Sequence, residues 1–174
     1  MKISLTRFGL LWFILFISLV SLIFGQSREI EVRDTVLFKL KSLLNLSDDN
    51  VIIRTMDDAT AYAEKGDTIL FSILLDLVPR TDGYVSEGLG YNLASLFLNQ
   101  PEFFLNQVSK RLSNDQKYIA TMTFFADGGG MRDEEYVRAD SILIKLSGSS
   151  NIQIRLTAHL FIPVLKHVRE QLKN

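Results

Sequence analysis

Asp34-Thr35-Val36-Leu37-Phe38 returns as Asp67-Thr68-Ile69-Leu70-Phe71, identical at four of five positions and displaced by 33 along the numbering. Two further steps of 33 land on Gln100 and Asp133. Each opens another apolar-periodic run, Pro101-Glu102-Phe103-Phe104-Leu105 in one case and Glu134-Glu135-Tyr136-Val137 in the other. A second register starts at Ser47-Asp48-Asp49, Thr81-Asp82-Gly83, Ser113-Asn114-Asp115 and Ser147-Gly148-Ser149, at successive intervals of 34, 32 and 34. Two interleaved registers of this kind describe one helical hairpin repeated four times, each unit too small to bury its own apolar face and covered by its neighbours. The expectation is an all-α chain whose antiparallel hairpins, residues 34–66, 67–99, 100–132 and 133–174, stack as a short α-solenoid. The alternative is a non-repetitive helical bundle, because leucine-rich helices imitate one another.

Local signals agree with helices. Apolar residues recur at helical spacing and strand-like alternation is scarce. Ser47-Asp48-Asp49 precedes one periodic run, Ser113 stands three before Gln116 as a capping box, and Pro101 sits where a helix begins. Gly66 followed by Asp67 reads as a helix stop and the next start, and so short a connection makes the neighbours antiparallel. Ile69-Leu70-Phe71-Ser72-Ile73-Leu74-Leu75 is apolar almost all round, as expected for a helix covered on both sides. In layout alone this resembles solenoids of the tetratricopeptide or HEAT and armadillo kind. The Trp, Leu-Gly and Tyr positions of the tetratricopeptide consensus are not met, nor is its closing proline, so no family is implied.

The segment ahead of the repeats has another character. Lys2 and Arg7 supply a basic start, and no charge appears from Phe8 to Ser27. Leu10-Leu11-Trp12-Phe13-Ile14-Leu15-Phe16-Ile17 is apolar on every face, unlike a surface helix. Residues 1–25 therefore read as a signal peptide, cut near the small Gly25-Gln26-Ser27, with the remaining domain periplasmic or secreted. An uncleaved anchor over residues 8–24 is the alternative, since about 20 uncharged residues span a bilayer. Lys2 and Arg7 keep the N-terminus cytoplasmic either way, with the domain outside.

Composition narrows the function classes. The 174 residues carry 19 basic and 20 acidic side chains and no cysteine, which excludes disulfide frameworks, cysteine-ligated metals and cysteine nucleophiles. Residues 1–25 hold two basic and no acidic residues, leaving 17 basic against 20 acidic and a formal −3 for the rest. Such a balance gives no pull toward nucleic acid.

Catalytic and cofactor motifs mostly fail on geometry. His159 and His167, the only histidines, lie about 12 Å apart along one helix and cannot share a metal. Asp57 and Asp58 point about 100° apart on a helix, and Asp133-Glu134-Glu135 suits a first turn, where acidic groups complement the dipole. Gly128-Gly129-Gly130 lacks the Lys-Ser/Thr ending of a phosphate loop, and Gly88-Leu89-Gly90 is better suited to close helix approach than to a dinucleotide. Asn45-Leu46-Ser47 fits a glycosylation sequon but also lies between two helices. No cofactor or metal is expected.

Ten positions into each second helix stand Asp57, Tyr91, Thr123 and Thr157, with Asp58 and Asn92 beside the first two. Stacked units would align them as a contact row. The expected role is an exported helical-repeat module that binds another protein without catalysis of its own. One alternative is an exported enzyme whose acid–base residues, Asp57, Asp58 and His159, converge only in the fold. The other is a membrane-anchored helper, for which Trp12, the only tryptophan, would remain in the mature chain.

Overall fold

The computed structural model describes residues 5–42, 48–81, 83–110 and 131–171; within the first helix, side chains are described at 17, 18 and from 25 onward. Those residues form seven α-helices and one 3-10 turn, with no strand among them. The helices are α1 (Leu5–Ser42), α2 (Asp49–Glu64), α3 (Thr68–Leu77), α4 (Gly83–Asn99), α5 (Pro101–Ser109), α6 (Asp133–Leu146) and α7 (Ile152–Gln171).

The starts of α2, α3 and α7 fall where a short polar side chain satisfies free amides of the first turn. Asp48 accepts from the Asn50 amide, and Asp67 accepts from those of Ile69 and Leu70. Pro101 opens α5. At α6 the Glu135 carboxylate reaches back to accept from the Arg132 amide at 2.7 Å. Gly66 takes φ +95, a left-handed conformation that favours glycine, and lets Asp67 N–H donate to the Tyr62 carbonyl in a tight turn. A single residue, Gln100, separates α4 from α5.

Two expected starts are displaced. The last helix begins at Ile152, capped by the Asn151 side chain, rather than near Ser147-Gly148-Ser149. Ser147 instead closes α6, and its hydroxyl donates to the Ile144 carbonyl. No helix starts at Asp34, which lies inside α1. Gly25-Gln26-Ser27 is helical too, so α1 runs without a break across the expected cleavage point. The expected capping box at Ser113, the Gly128-Gly129-Gly130 stretch and the Asn45-Leu46-Ser47 sequon lie outside the described residues.

α2 packs against α1, α3 and α4; α4 also packs against α5 and α6; α7 packs against α5 and α6. The interior recurs along the chain. The buried residues Ile52, Thr55, Met56, Ala59, Thr60 and Ala63 of α2 are followed 34 positions later by buried Ser86, Leu89, Gly90, Leu93, Ala94 and Phe97 of α4. A further 68 positions on, buried Ile154, Thr157, Ala158, Phe161 and Leu165 of α7 keep the same phase. Leu70, Phe71, Leu74 and Leu75 of α3 recur at 34 as Phe104, Leu105, Val108 and Ser109 of α5. Val36 and Leu40, buried among the described side chains of α1, stand 34 before Leu70 and Leu74.

The burial spacing is therefore 34, one longer than the 33 of the matching pentapeptides. Phe38 and Phe71, equivalent at 33, have opposite fates: Phe38 is 74% exposed and Phe71 is 0% exposed. Phe71 meets Phe103 and Phe104 edge to face at 5.3 and 5.4 Å, and Phe104 meets Phe97 at 5.5 Å. This aromatic knot ties α3, α4 and α5 together. Gly88 permits the close contact of α2 and α4, because a Cβ there would come within 3.1 Å of Ile53 Cγ1.

Candidate functional site

The groove between α2 and α4 is bridged by two polar ties two helical turns apart. Asn92 Nδ2 donates to Asp57 Oδ1 at 2.8 Å and to the Gly88 carbonyl at 3.0 Å. Asn99 Nδ2 donates to Glu64 Oε1 at 2.9 Å, and Ser95 Oγ donates to the same oxygen at 3.1 Å. The acceptors are seven apart in sequence on α2 and the asparagines seven apart on α4, so both ties fall on facing edges. Gly88 leaves room for the Asn92 side chain to fold back onto the carbonyl one turn earlier.

Beside this ladder lies a small polar cleft of about 120 Å³ between α4 and α6. Tyr91, Ser95 and Asn99 form one wall, and Glu135 and Arg138 form the other. Arg138 Nη2 donates to the Leu98 carbonyl at 3.0 Å, which fixes the guanidinium across the gap. Tyr91 is 57% exposed at the rim. The cleft thus offers an aromatic face, the Asn99 carbonyl oxygen, a carboxylate and a fixed cation, while the Ser95 hydroxyl and the Asn99 N–H groups are committed to the ladder.

The expected contact row is assembled only in part. Asp57, Asp58 and Tyr91 are exposed, on α2 and α4. Asn92 is 5% exposed and spends its amide on the tie to Asp57, so its described role is structural. Thr157 corrects the expectation outright. It is 2% exposed, and its hydroxyl donates to the Gln153 carbonyl one turn back, so it belongs to the core of α7. Counting ten from the expected start at Ser147 misses the surface because α7 begins at Ile152. Thr123 lies outside the described residues. The acid–base trio is not assembled as a unit: Asp57 is bonded to Asn92, while His159 is exposed on α7, which packs against α5 and α6. Among the described residues no group of three or more His, Asp or Glu side chains could hold a metal ion. Ser95, Asn99, Glu135 and Arg138 escape sequence reasoning. The i, i+4, i+8 spacing of Tyr91, Ser95 and Asn99 is the signal that could have found the first wall.

A second recess, about 470 Å³, lies between α1 and the α2–α3 turn. Its floor holds an ion pair in which Arg33 Nε donates to Asp67 Oδ2 at 2.6 Å, while Arg33 Nη1 donates to Asp34 at 3.0 Å. The hydrogen bond to Asp67 outweighs desolvation and holds the Arg33 guanidinium above its ordinary value. Burial pushes the Asp67 carboxyl up, but the Arg33 hydrogen bond and charge with the Ile69 and Leu70 amides more than offset it. The carboxyl is held below its ordinary value. At the mouth, Lys65 Nζ donates to Glu29 Oε1 at 3.1 Å and lies 5.3 Å from the Tyr62 ring centroid.

No family model matches this chain, and no curated protein or solved structure matches it either. Among the described residues no helix is long and apolar enough to cross a membrane; most side chains of 8–24 lie outside them.

Proposed function

We propose that this protein is an exported helical-repeat interaction module, free of catalysis, that takes a protein segment in the cleft between α4 and α6. The observation that carries the reading is the recurrence of buried positions from α2 to α4 and on to α7 in one constant phase, at the period of a tetratricopeptide hairpin. Stacked units of that kind have a continuous core and leave their helix edges for recognition. The borrowing is one of architecture, and the site rests on its own chemistry: Tyr91 is a rigid aromatic anchor beside fixed polar groups.

The course of α1 favours retention of the leader. Gly25-Gln26-Ser27 lies inside the unbroken α1, which joins residues 8–24 directly to the packed helices. We therefore read residues 8–24 as the anchor of a domain standing outside the cytoplasm, in place of a cleaved signal peptide. The test is a photo-reactive amino acid at Tyr91 in the full chain in its native cell. It should crosslink one discrete partner, and Arg138→Ala should abolish the product. An equal yield from a probe at Asp58, on the far side of the ladder, would overturn the assignment.

A further inference from the structure

We infer that the recess between α1 and the α2–α3 turn receives the headgroup of a membrane phospholipid carrying a free ammonium, of the phosphatidylethanolamine type. This rests on the reading of residues 8–24 as an anchor. The recess begins at Gln26, two positions past the end of the apolar run, and reaches Arg33. At a rise of 1.5 Å per residue those points stand roughly 3 and 14 Å beyond Phe24 along an unbroken helix. The headgroup layer on each side of a bilayer is about 5–8 Å deep. The membrane-near half of the recess therefore stands at headgroup level. Tyr62, on its wall, is an aromatic with one polar tip, the residue type favoured at that level.

The chemistry of the recess is zwitterionic. Arg33 and Asp67 are committed to each other on the floor with little exposure. Glu29 and Lys65 at the mouth pair with one another at 57% and 68% side-chain exposure, so they exchange partners at little cost. A headgroup carrying both an ammonium and a phosphate satisfies both in one step: the ammonium N–H groups donate to Glu29, and the Lys65 ammonium donates to the phosphate. Ile30 and the Tyr62 ring supply an apolar wall for the glycerol end. The volume, about 470 Å³, lies inside the ~300–1,000 Å³ span of small-molecule sites. A choline headgroup has no N–H to offer Glu29, and a purely anionic one leaves Glu29 facing a like charge.

The test uses the full chain in nanodiscs of phosphatidylcholine doped with equal parts of phosphatidylethanolamine and phosphatidylglycerol. Gentle extraction and native mass spectrometry should find one phosphatidylethanolamine retained, at about tenfold preference over each other lipid, the ratio of one charge-assisted hydrogen bond. Glu29→Gln should erase the preference and Lys65→Gln should lower retention of all three lipids, both at the surface, while far-UV circular dichroism stays unchanged. Equal retention of the three lipids, a preference for the anionic lipid, or indifference to both variants would overturn the headgroup site. Quenching of Trp12 emission by lipids brominated in their acyl chains reads the anchor separately. Quenching without lipid preference defeats the headgroup proposal alone, and absence of quenching defeats the anchor and the proposal together.

Discussion

Replacing Phe71 and Phe38 by alanine, one at a time, separates the two repeat registers. At a spacing of 33 the two phenylalanines are the same residue of successive units, and their removal should cost the same. At the spacing of 34 kept by burial they are not equivalent. Phe71 is fully buried and meets two rings edge to face, at 5.3 and 5.4 Å. Truncating a buried phenylalanine costs about 3–5 kcal/mol, and each lost edge contact contributes about 0.5–1.5 kcal/mol beyond area, which places Phe71→Ala near the upper end. Phe38 is 74% exposed, and truncation at such a site stays within about 0.5 kcal/mol. For a chain of this size that corresponds to a drop in Tm of roughly 10–20 °C against one of roughly 2 °C or less. The assay is urea unfolding followed by far-UV circular dichroism, since the only tryptophan, Trp12, stands far along the sequence from both phenylalanines. A shift in midpoint at constant slope reports stability itself. Costs equal to within about 1 kcal/mol would refute the burial phase and restore the pentapeptide match as the true equivalence.

Other outcomes follow from single contacts. Asp67→Ala loses both the α3 cap and the Arg33 partner and should cost about 2–3 kcal/mol, whereas Asp67→Asn keeps the cap and should cost about 1 kcal/mol, measured as urea midpoints. Because the folded-state pKa of Asp67 lies below its unfolded value, that stabilisation is complete above pH ~4 and drains away as pH falls through the folded value. The Tm gap between the native chain and Asp67→Asn should therefore narrow as pH falls below about 4, and a constant gap would deny the ion pair its role. Gly88→Ala should destabilise by about 1 kcal/mol, as crowding on Ile53 exceeds the helix-propensity gain, yet stabilise in an Ile53→Ala background; additivity in that double-mutant cycle would contradict the contact. Tyr91→Ala should leave the Tm within about 1 °C while abolishing the crosslink from a photo-reactive amino acid placed instead at Glu135, across the cleft, and an unfolded variant would make Tyr91 structural.

The helical class and most helix starts are legible because capping is local: Asp48, Asp67 and Pro101 act on amides within a turn of themselves. The last start misleads because Ser147 and Ser149 carry the same hydroxyl signal as a cap. Ser147 instead closes α6 by donating back to Ile144, and only Asn151 reaches forward to the amides of α7. Asp34 fails for a related reason. It shares its pentapeptide with Asp67, but Arg33 beside it supplies an ion pair on a helix flank, and no glycine stands directly before it to stop the helix. A slip of one in the period turns a helix by about 100°, which is why the pentapeptide match equates exposed Phe38 with buried Phe71. Thr157 stands two short of the position that keeps phase with Tyr91, and a turn of about 200° carries it from the surface to the core. Asp57 and Asn92 stand ten and eleven positions past their expected starts, and the packing of α2 on α4 brings them together. The far wall of the cleft, Glu135 and Arg138, comes from a helix that touches α4 only through tertiary packing, and no local pattern announces it.

The constant burial phase also bears on how long this protein must be. Excising residues 66–99 would join Lys65 to Gln100 and bring α5 directly after α2, where α3 now stands. Phe104, Leu105 and Val108 would then enter at the positions vacated by Leu70, Phe71 and Leu74, with the packing phase of the chain intact. Under the proposed stacking, gaining or losing one entire unit keeps the burial phase, while gaining or losing a single residue within a helix turns the remainder by about 100°.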